Sequence, residues 1–489
     1  MHTANGNTQK SENILVFDVG STFTKASAFS RNGSELTWLG RAQAPTTVED
    51  IEIGLANATA AIATSIGRET LHADKTYAAS SAAGGLRMVA MGYMPRVTAK
   101  AAKEVAMSAG ARVLEVMSYD DQLEQKLEML REIRPDIILL AGGTDGGETD
   151  ALIADARIIV ASKVKAAVVV AGNQAAQPAV AEILNQAGIH TVRVPNVMPT
   201  IHELKVKPAR EAIHEHFIDQ ITKAKGLSKL LDRLSVKKVV PTPGAILMAA
   251  ELMARGTKEE EGVGGLVVVD LGGATTDIHS VLPQLEELSI EEKGLVLTNE
   301  KQLAYRTVEG NLGLRVSARG IVEAVGEKAV AYRAGLEGEV GEKTVIDYAT
   351  QLEANPEHLA ANDLERKLDR VMAEVAVEVA LKRHAGYIAE HFDPVMGVIP
   401  GTPIGRDLRQ VEVVLAVGGV FAHSSEEDAI GIVAAALAKP GISLLPKNAR
   451  IIVDRNYLTY AIGVLAQYDP TATLRFAKRH FPQILPPVK

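Results

Sequence analysis

A strand that ends in an acidic residue and runs into a glycine- and hydroxyl-rich turn occurs twice in this chain, and few folds use such a unit twice. The first copy is Ile14-Leu-Val-Phe-Asp18-Val-Gly20-Ser21-Thr22-Phe-Thr24-Lys25. Its apolar run suits a central strand, and Gly20 lets the amides of the turn approach an anion with no side chain between. The second copy is Val267-Val-Val-Asp270-Leu-Gly272-Gly273-Ala274-Thr275-Thr276-Asp277. Each is followed by a further strand pattern, over 24–29 and 277–281. One copy alone reads equally well as an ordinary turn, with glycine supplying a positive φ and aspartate capping it. Two copies, a full domain apart, point to a nucleotide clamped between two domains.

Composition narrows the partners. With 489 residues and 47% hydrophobic content, the chain can bury a sizeable core and is expected to form several units. The net charge is −8 and no dense basic block is interleaved with aromatics, so nucleic acid is discounted as a partner. There is no cysteine, which excludes a thiolate nucleophile, a disulfide framework and a cysteine-held iron–sulfur cluster within this chain. Residues 1–13 are polar and read as a disordered tail, not a secretory signal. No apolar stretch reaches the roughly 20 residues of a membrane span. The expected setting is the cytoplasm, with no membrane contact.

The first half alternates strands and helices: strands over 14–18, 25–29 and 77–79, with a helix over 48–66. From Pro135 the rhythm becomes strand, helix, strand, helix, strand (136–143, 166–172, 190–194), a parallel βαβαβ unit. Within it, Gly142-Gly143-Thr144-Asp145-Gly146-Gly147 lies where a strand enters a helix, as a second anion site or a tight turn; its spacing fits neither a dinucleotide fingerprint nor a P-loop. His214 and His216 read as a solvated helix face, and the charged run at 257–261 as a solvated loop. Residues 285–297 read as further antiparallel strands, and 364–388 as a long surface helix. Near the C-terminus, a buried strand over 411–417 ends in Gly418 and Gly419, and a second apolar run at 451–453 precedes a helix over 459–465.

A nucleoside triphosphate needs amides for its phosphates, carboxylates for a hydrated Mg2+, and a neutral slot for the nucleoside. Asp18 and Asp270, at strand ends, are the candidate catalytic residues, holding Mg2+ through water or orienting the attacking water. Gly20, Ser21, Thr22 and Thr24, and Gly272, Gly273, Ala274, Thr275 and Thr276, are the candidate phosphate contacts. Lys25 adds positive charge or points outward. Gly418 and Gly419 let a base or ribose lie against backbone, or make a tight turn. The small residues Gly244, Ala245, Ala249, Ala250, Ala461 and Gly463 would let two helices cross closely, a plausible hinge.

With these parts in this order, the chain resembles the superfamily of actin, heat-shock chaperone and sugar-kinase ATPases. The segment from Pro241 to Leu252 resembles its first connecting helix, and Ala461-Ile-Gly463 its second. Within that superfamily, Asp18-Val-Gly-Ser-Thr-Phe-Thr-Lys25, Leu140-Ala-Gly-Gly-Thr-Asp-Gly-Gly147 and Val269-Asp-Leu-Gly-Gly-Ala-Thr-Thr-Asp277 resemble the MutL accessory proteins of glutamate mutase, which are unrelated to the mismatch-repair protein of that name. The resemblance implies an α/β, actin-like ATPase with two ribonuclease-H-like lobes around a nucleotide cleft. It also implies ATP and Mg2+ as cofactors, and the subunits of an adenosylcobalamin-dependent carbon-skeleton mutase as partners. No Asp-x-His-x-x-Gly motif is present to ligate the corrin, so the rearrangement itself would belong to the mutase. The implied order is a first lobe (14–134), an inserted block (135–235), a connecting helix and loop (236–262), a second lobe (263–455) and a returning helix (456–489).

Two other readings stay open. A sugar- or acetate-type kinase shares the hairpins but needs a base for the substrate hydroxyl, and no separate carboxylate motif identifies one. A protein regulated by ATP without hydrolysing it needs only the binding parts. The activators of 2-hydroxyacyl-CoA dehydratases open with a very similar motif, but they rely on cysteine, which this chain lacks.

Overall fold

Six consecutive buried residues, Ile14 to Val19, form the core of the first sheet. Burial at every position, and not at alternate ones, marks a strand covered on both faces. The computed structural model describes residues 11–20, 23–45, 51–80, 87–93, 112–200, 205, 208–209, 211–213, 215–216, 231–236, 239–282, 304–392 and 398–485. Two compact units emerge, one from 1–84, 217–263 and 458–489, the other from 85–216 and 264–457.

In the first unit, β1 (Glu12–Val19), β2 (Phe23–Asn32) and β3 (Glu35–Pro45) make an antiparallel meander. β4 (Lys75–Ser80) runs parallel to β1, and the later β10 (Val239–Pro241) parallel to β4, so the sheet order is β10-β4-β1-β2-β3. The helices Thr242–Arg255 and Thr459–Ala466 cross at the small residues anticipated from sequence. Ala245, Ala249, Ala250 and Ala461 are fully buried, and a Cβ added to Gly463 would stand 1.7 Å from the carbonyl oxygen of Ala245. Only glycine permits that approach.

The second unit contains a parallel sheet of order β6-β5-β7-β8-β9, built from β5 (Arg87–Gly92), β6 (Arg112–Ser118), β7 (Ile137–Leu140), β8 (Ala167–Val170) and β9 (Thr191–Arg193). The last three are the strands expected from sequence. The sheet also takes in β5 and β6 from before residue 135, and Met88 and Met91 of β5, between β6 and β7, are fully buried. In sequence, all five strands fall between β4 and β10 (Val239–Pro241) of the first sheet.

A further sheet of this unit repeats the plan of the first. β11 (Leu266–Leu271), β12 (Thr276–Val281) and β13 (Ala304–Glu309) form an antiparallel meander. After the short β14 (Tyr387–Ile388) and β15 (Pro403–Ile404) hairpin, β16 (Val413–Val417) runs parallel to β11, and β17 (Arg450–Val453) parallel to β16. The order is β13-β12-β11-β16-β17. Val267, Val269, Leu271 and Ile278 pack with the helices Ala318–Val325, Asp363–His384 and Glu426–Leu437 in one core. The helix expected over 364–388 ends at His384, where the chain leaves for β14. The strands expected over 285–297 lie outside the described residues. Among those described, no helix is long and apolar enough to cross a membrane.

Candidate functional site

Each repeated sheet carries one acidic hairpin at the turn between its first two strands. In the first, the register sets Asp18 opposite Lys25. Asp18 is only 2% exposed, and both its oxygens are engaged: Oδ2 lies 3.4 Å from Lys25 Nζ, and Oδ1 accepts a 2.6 Å hydrogen bond from Thr242 Oγ1. Lys25 therefore turns onto Asp18. Thr242 was not singled out from sequence. It opens the helix that follows β10, and the sheet order brings β10 beside β4, which neighbours β1. The Gly20 amide closes the turn on Phe23 O at 3.1 Å, Thr24 is fully buried, and Ser80 Oγ ties β4 to Val19 O at 3.0 Å. Ser21 and Thr22 lie outside the described residues.

The second hairpin, Gly272 to Thr275, is clamped by the loop that follows β13. The amides of Arg315 and Val316 both donate to Gly273 O, at 2.8 and 2.7 Å, and that of Leu314 to Gly272 O at 3.1 Å. Ser317 Oγ donates to Ala274 O at 3.0 Å. The loop is braced in turn by the forked ion pair of Arg315 with Asp369, which also accepts from Tyr348 Oη at 2.9 Å. Gly273 and Ala274 are exposed, whereas Asp270, Gly272 and Thr275 are half-buried. Thr276 is fully buried and its hydroxyl donates to Leu312 O, so it secures the hairpin from beneath. Thr275 Oγ1 donates to Asp277 Oδ2 at 2.9 Å. Asp277 is in turn held by Arg306, whose Nε and Nη2 both reach Oδ1. Asp277 closes the second motif read from sequence but was not among its candidate contacts, and Arg306 was not anticipated at all. An arginine inside the strand pattern Ala304–Glu309 was the available signal.

Gly418 and Gly419 follow β16, which lies beside β11. Gly418 has φ +112°, and a Cβ there would come 2.3 Å from Leu271 O and 2.9 Å from Asp270 Oδ1. A Cβ on Gly419 would meet nothing within 4 Å. The paired glycines thus place bare backbone against Asp270 with open space before it, a cradle any side chain would narrow. Asp270, the exposed Gly273 and Ala274, Gly418 and Gly419 are brought together in the second unit, and Asp18, Gly20, Thr24 and Lys25 in the first.

The glycine loop after β7 is differently made. Asp145 Oδ1 accepts from the Gln174 amide at 3.0 Å and from Asn196 Nδ2 at 2.9 Å, while Asn173 Nδ2 donates to the carbonyls of Gly147 and Glu148. Glu148 Oε1 accepts the Ala151 amide in the first turn of the following helix. Two carboxylates in the turn make it a poor seat for an anion. His216 is buried and stacks on His190 with ring centroids 6.0 Å apart, because its helical segment packs inward where a solvated face was expected; His214 lies outside the described residues. Among the described residues there is no group of three or more carboxylates and histidines able to hold a metal ion directly.

Two sheets of order 3-2-1-4-5, each with an acidic glycine hairpin between its first strands, define the fold of the actin-like ATPases. The model of the family described as MutL protein matches residues 14–481, and the chain is 38% identical over 479 residues to Protein MutL of Clostridium tetanomorphum, covering 96% of this chain and 99% of that one. The chain belongs to the MutL family. Among solved structures, it is similar to a diol dehydratase-reactivating factor in nucleotide-free form (12% identity, 94% of this chain and 100% of the other, TM-score 0.37). It is also similar to a ROK hexokinase from Thermus thermophilus (11% identity, 96% and 99%, TM-score 0.27). The fold assignment rests on the strand order, not on these two likenesses.

Proposed function

We propose that this protein binds and hydrolyses ATP as the accessory protein, or reactivase, of an adenosylcobalamin-dependent carbon-skeleton mutase of the glutamate (methylaspartate) mutase type. One observation carries the nucleotide half: the same acidic glycine hairpin sits at the same turn of two sheets with the same strand order. The mutase half is supported by membership of the MutL family.

The residues present fit the group. The hairpin backbones around Gly20 and Gly272 to Thr275 would hold phosphates, and the bare backbone of Gly418 and Gly419 would accept the nucleoside. Asp18 in the first unit and Asp270 in the second are each candidates to hold Mg2+ through its waters. Bound Mg-ATP supplies a phosphoryl group activated toward water. The chain's part is to fix it, keep Asp18 oriented through Thr242 and Lys25, and present Asp270 beside the glycine cradle. States with ATP and ADP would differ in affinity for the mutase, and a coupling of ~1–3 kcal/mol changes that affinity by roughly 5–150-fold.

Co-purification with candidate cobalamin mutases, with and without Mg-ATP, tests this reading. Association that changes with the nucleotide, together with ADP release stimulated by the mutase, is the expected result. ADP formation that depends on a small-molecule acceptor would favour a kinase instead.

A further inference from the structure

The two hairpins share a register but differ in charge. In β1 and β2, Asp18 faces Lys25; at the matching place in β11 and β12, Asp270 faces Asp277. Paired residues of an antiparallel ladder project from the same face with Cβ atoms about 4.5–5.5 Å apart, and like charges so placed repel. The second hairpin therefore needs a cation that its own two strands do not supply.

β13 supplies it. Arg306 is the cross-strand partner of His279, diagonal to Asp277 on the same face. It holds Asp277 Oδ1 through Nε at 3.0 Å and through Nη2, with Arg306 4% and Asp277 5% exposed. The other oxygen, Oδ2, accepts the hydroxyl of Thr275, a residue of the exposed turn. Arginine, carboxylate and hydroxyl form one chain from the sheet interior to the hairpin, and each link fixes the next. The link between Arg306 and Asp277 is buried, and a link of that kind is stiff because little water competes for it.

We propose that Arg306 is a positioning residue of the nucleotide site. It cancels the charge of Asp277 opposite Asp270, and through Asp277, which accepts the hydrogen bond of the Thr275 hydroxyl, it fixes the turn whose backbone amides meet the terminal phosphate of a nucleoside triphosphate. The proposal rests on the nucleotide reading above and adds a residue outside the glycine motifs.

The test is calorimetric titration of the full chain with Mg-ATP and Mg-ADP, alongside thermal melting, for the wild type, Arg306→Lys and the double variant Arg306→Met/Asp277→Asn. The double variant removes both charges together, so no lone buried charge is left to unfold the sheet. It is expected to melt cooperatively and to bind ATP about 10-fold more weakly, the scale of one charge-assisted hydrogen bond, with a smaller change for ADP. Arg306→Lys retains the charge and is expected to lie between the two. A folded double variant with wild-type affinity for both nucleotides overturns the proposal. Equal weakening of ATP and ADP with a lowered melting temperature also overturns it, by showing a merely structural role. A wild-type chain that binds neither nucleotide overturns the nucleotide reading itself.

Discussion

The hydroxyl of Thr242 donates a 2.6 Å hydrogen bond to Oδ1 of Asp18, joining residues 224 positions apart. Thr242→Val keeps the shape and removes the donor. A hydrogen bond to a charged group contributes about 1.5–3 kcal/mol, so the unfolding midpoint of this variant should fall accordingly. Mg-ATP affinity should fall with it, while Thr242→Ser retains both. Urea titration and calorimetric binding on the three proteins check this.

Gly418 and Gly419 separate backbone strain from ligand space. At Gly418 an alanine would need φ +112° and would strike Leu271 O, a strain on the order of 1–3 kcal/mol. Gly418→Ala should therefore lose both stability and nucleotide binding. Gly419→Ala enters open space, so it should melt like the wild type and weaken binding only where a nucleoside needs the same room. A fluorescent ATP analogue, titrated beside melting curves, distinguishes the two.

Two fully buried histidines give the second unit an acid-sensitive stability. Burial, then the charge of Arg306, holds the pKa of His279 well below the usual value; burial, then Arg406 and His279, does the same for His384. His384 spends its ring nitrogens on Ser280 Oγ and Thr307 Oγ1, at 2.7 and 2.8 Å. Both rings stay neutral when folded, whereas the unfolded chain takes up protons near pH 6.5. Stability is thus fully present above about pH 6.5 and falls as pH drops toward the depressed folded values, by up to about 1.4 kcal/mol per pH unit for each ring. Urea midpoints at pH 7.5, 6.5 and 5.5 should decline in that order, less steeply after His279→Leu.

Lys126 and Asp155 form a buried ion pair, 2.9 Å apart with side chains 3% and 6% exposed. Burial raises the pKa of Asp155, against the opposing pull of Lys126. Lys126→Met leaves a lone buried carboxylate, which costs about 3–5 kcal/mol. That loss should be larger at pH 7.5 than at pH 5, where Asp155 can take up a proton. The difference between the two pH values, read from denaturant melts of wild type and variant, checks the sign.

Much of this architecture was written locally. The two hairpins, β7 to β9 and the glycines ending β16 each announce themselves within a dozen residues, through apolar runs that stop at acidic or glycine positions. The small residues of 244–250 and 461–463 likewise foretold a close helix crossing. What stayed hidden depends on distant partners. Thr242 matters because β10 lies beside β4, and Arg306 because β13 lies beside β12 with a register that aims it at Asp277. Thr276 looked like a phosphate contact because it follows the glycine turn, but it is fully buried and its hydroxyl donates to Leu312 O. β5 was missed because Arg87–Gly92 is a short apolar run with methionines and no β-branched residue but Val89.

The contact of Gly463 with Ala245 also orders the protein's birth. The first unit draws on segments far apart in the chain: Tyr460 Oη lies 3.1 Å from Ser27 Oγ and 3.2 Å from Val16 O, and the rings of Phe29 and Phe476 meet edge to face at 5.4 Å. On the ribosome, β1 and β2 emerge early yet wait for the segment after residue 457, tens of seconds later at about 5–20 residues per second. The second unit, whose residues end at 457, is complete before the first can close. A message cut short before residue 458 would therefore release a chain whose earliest strands never gain their cover, a ready substrate for chaperones and proteases.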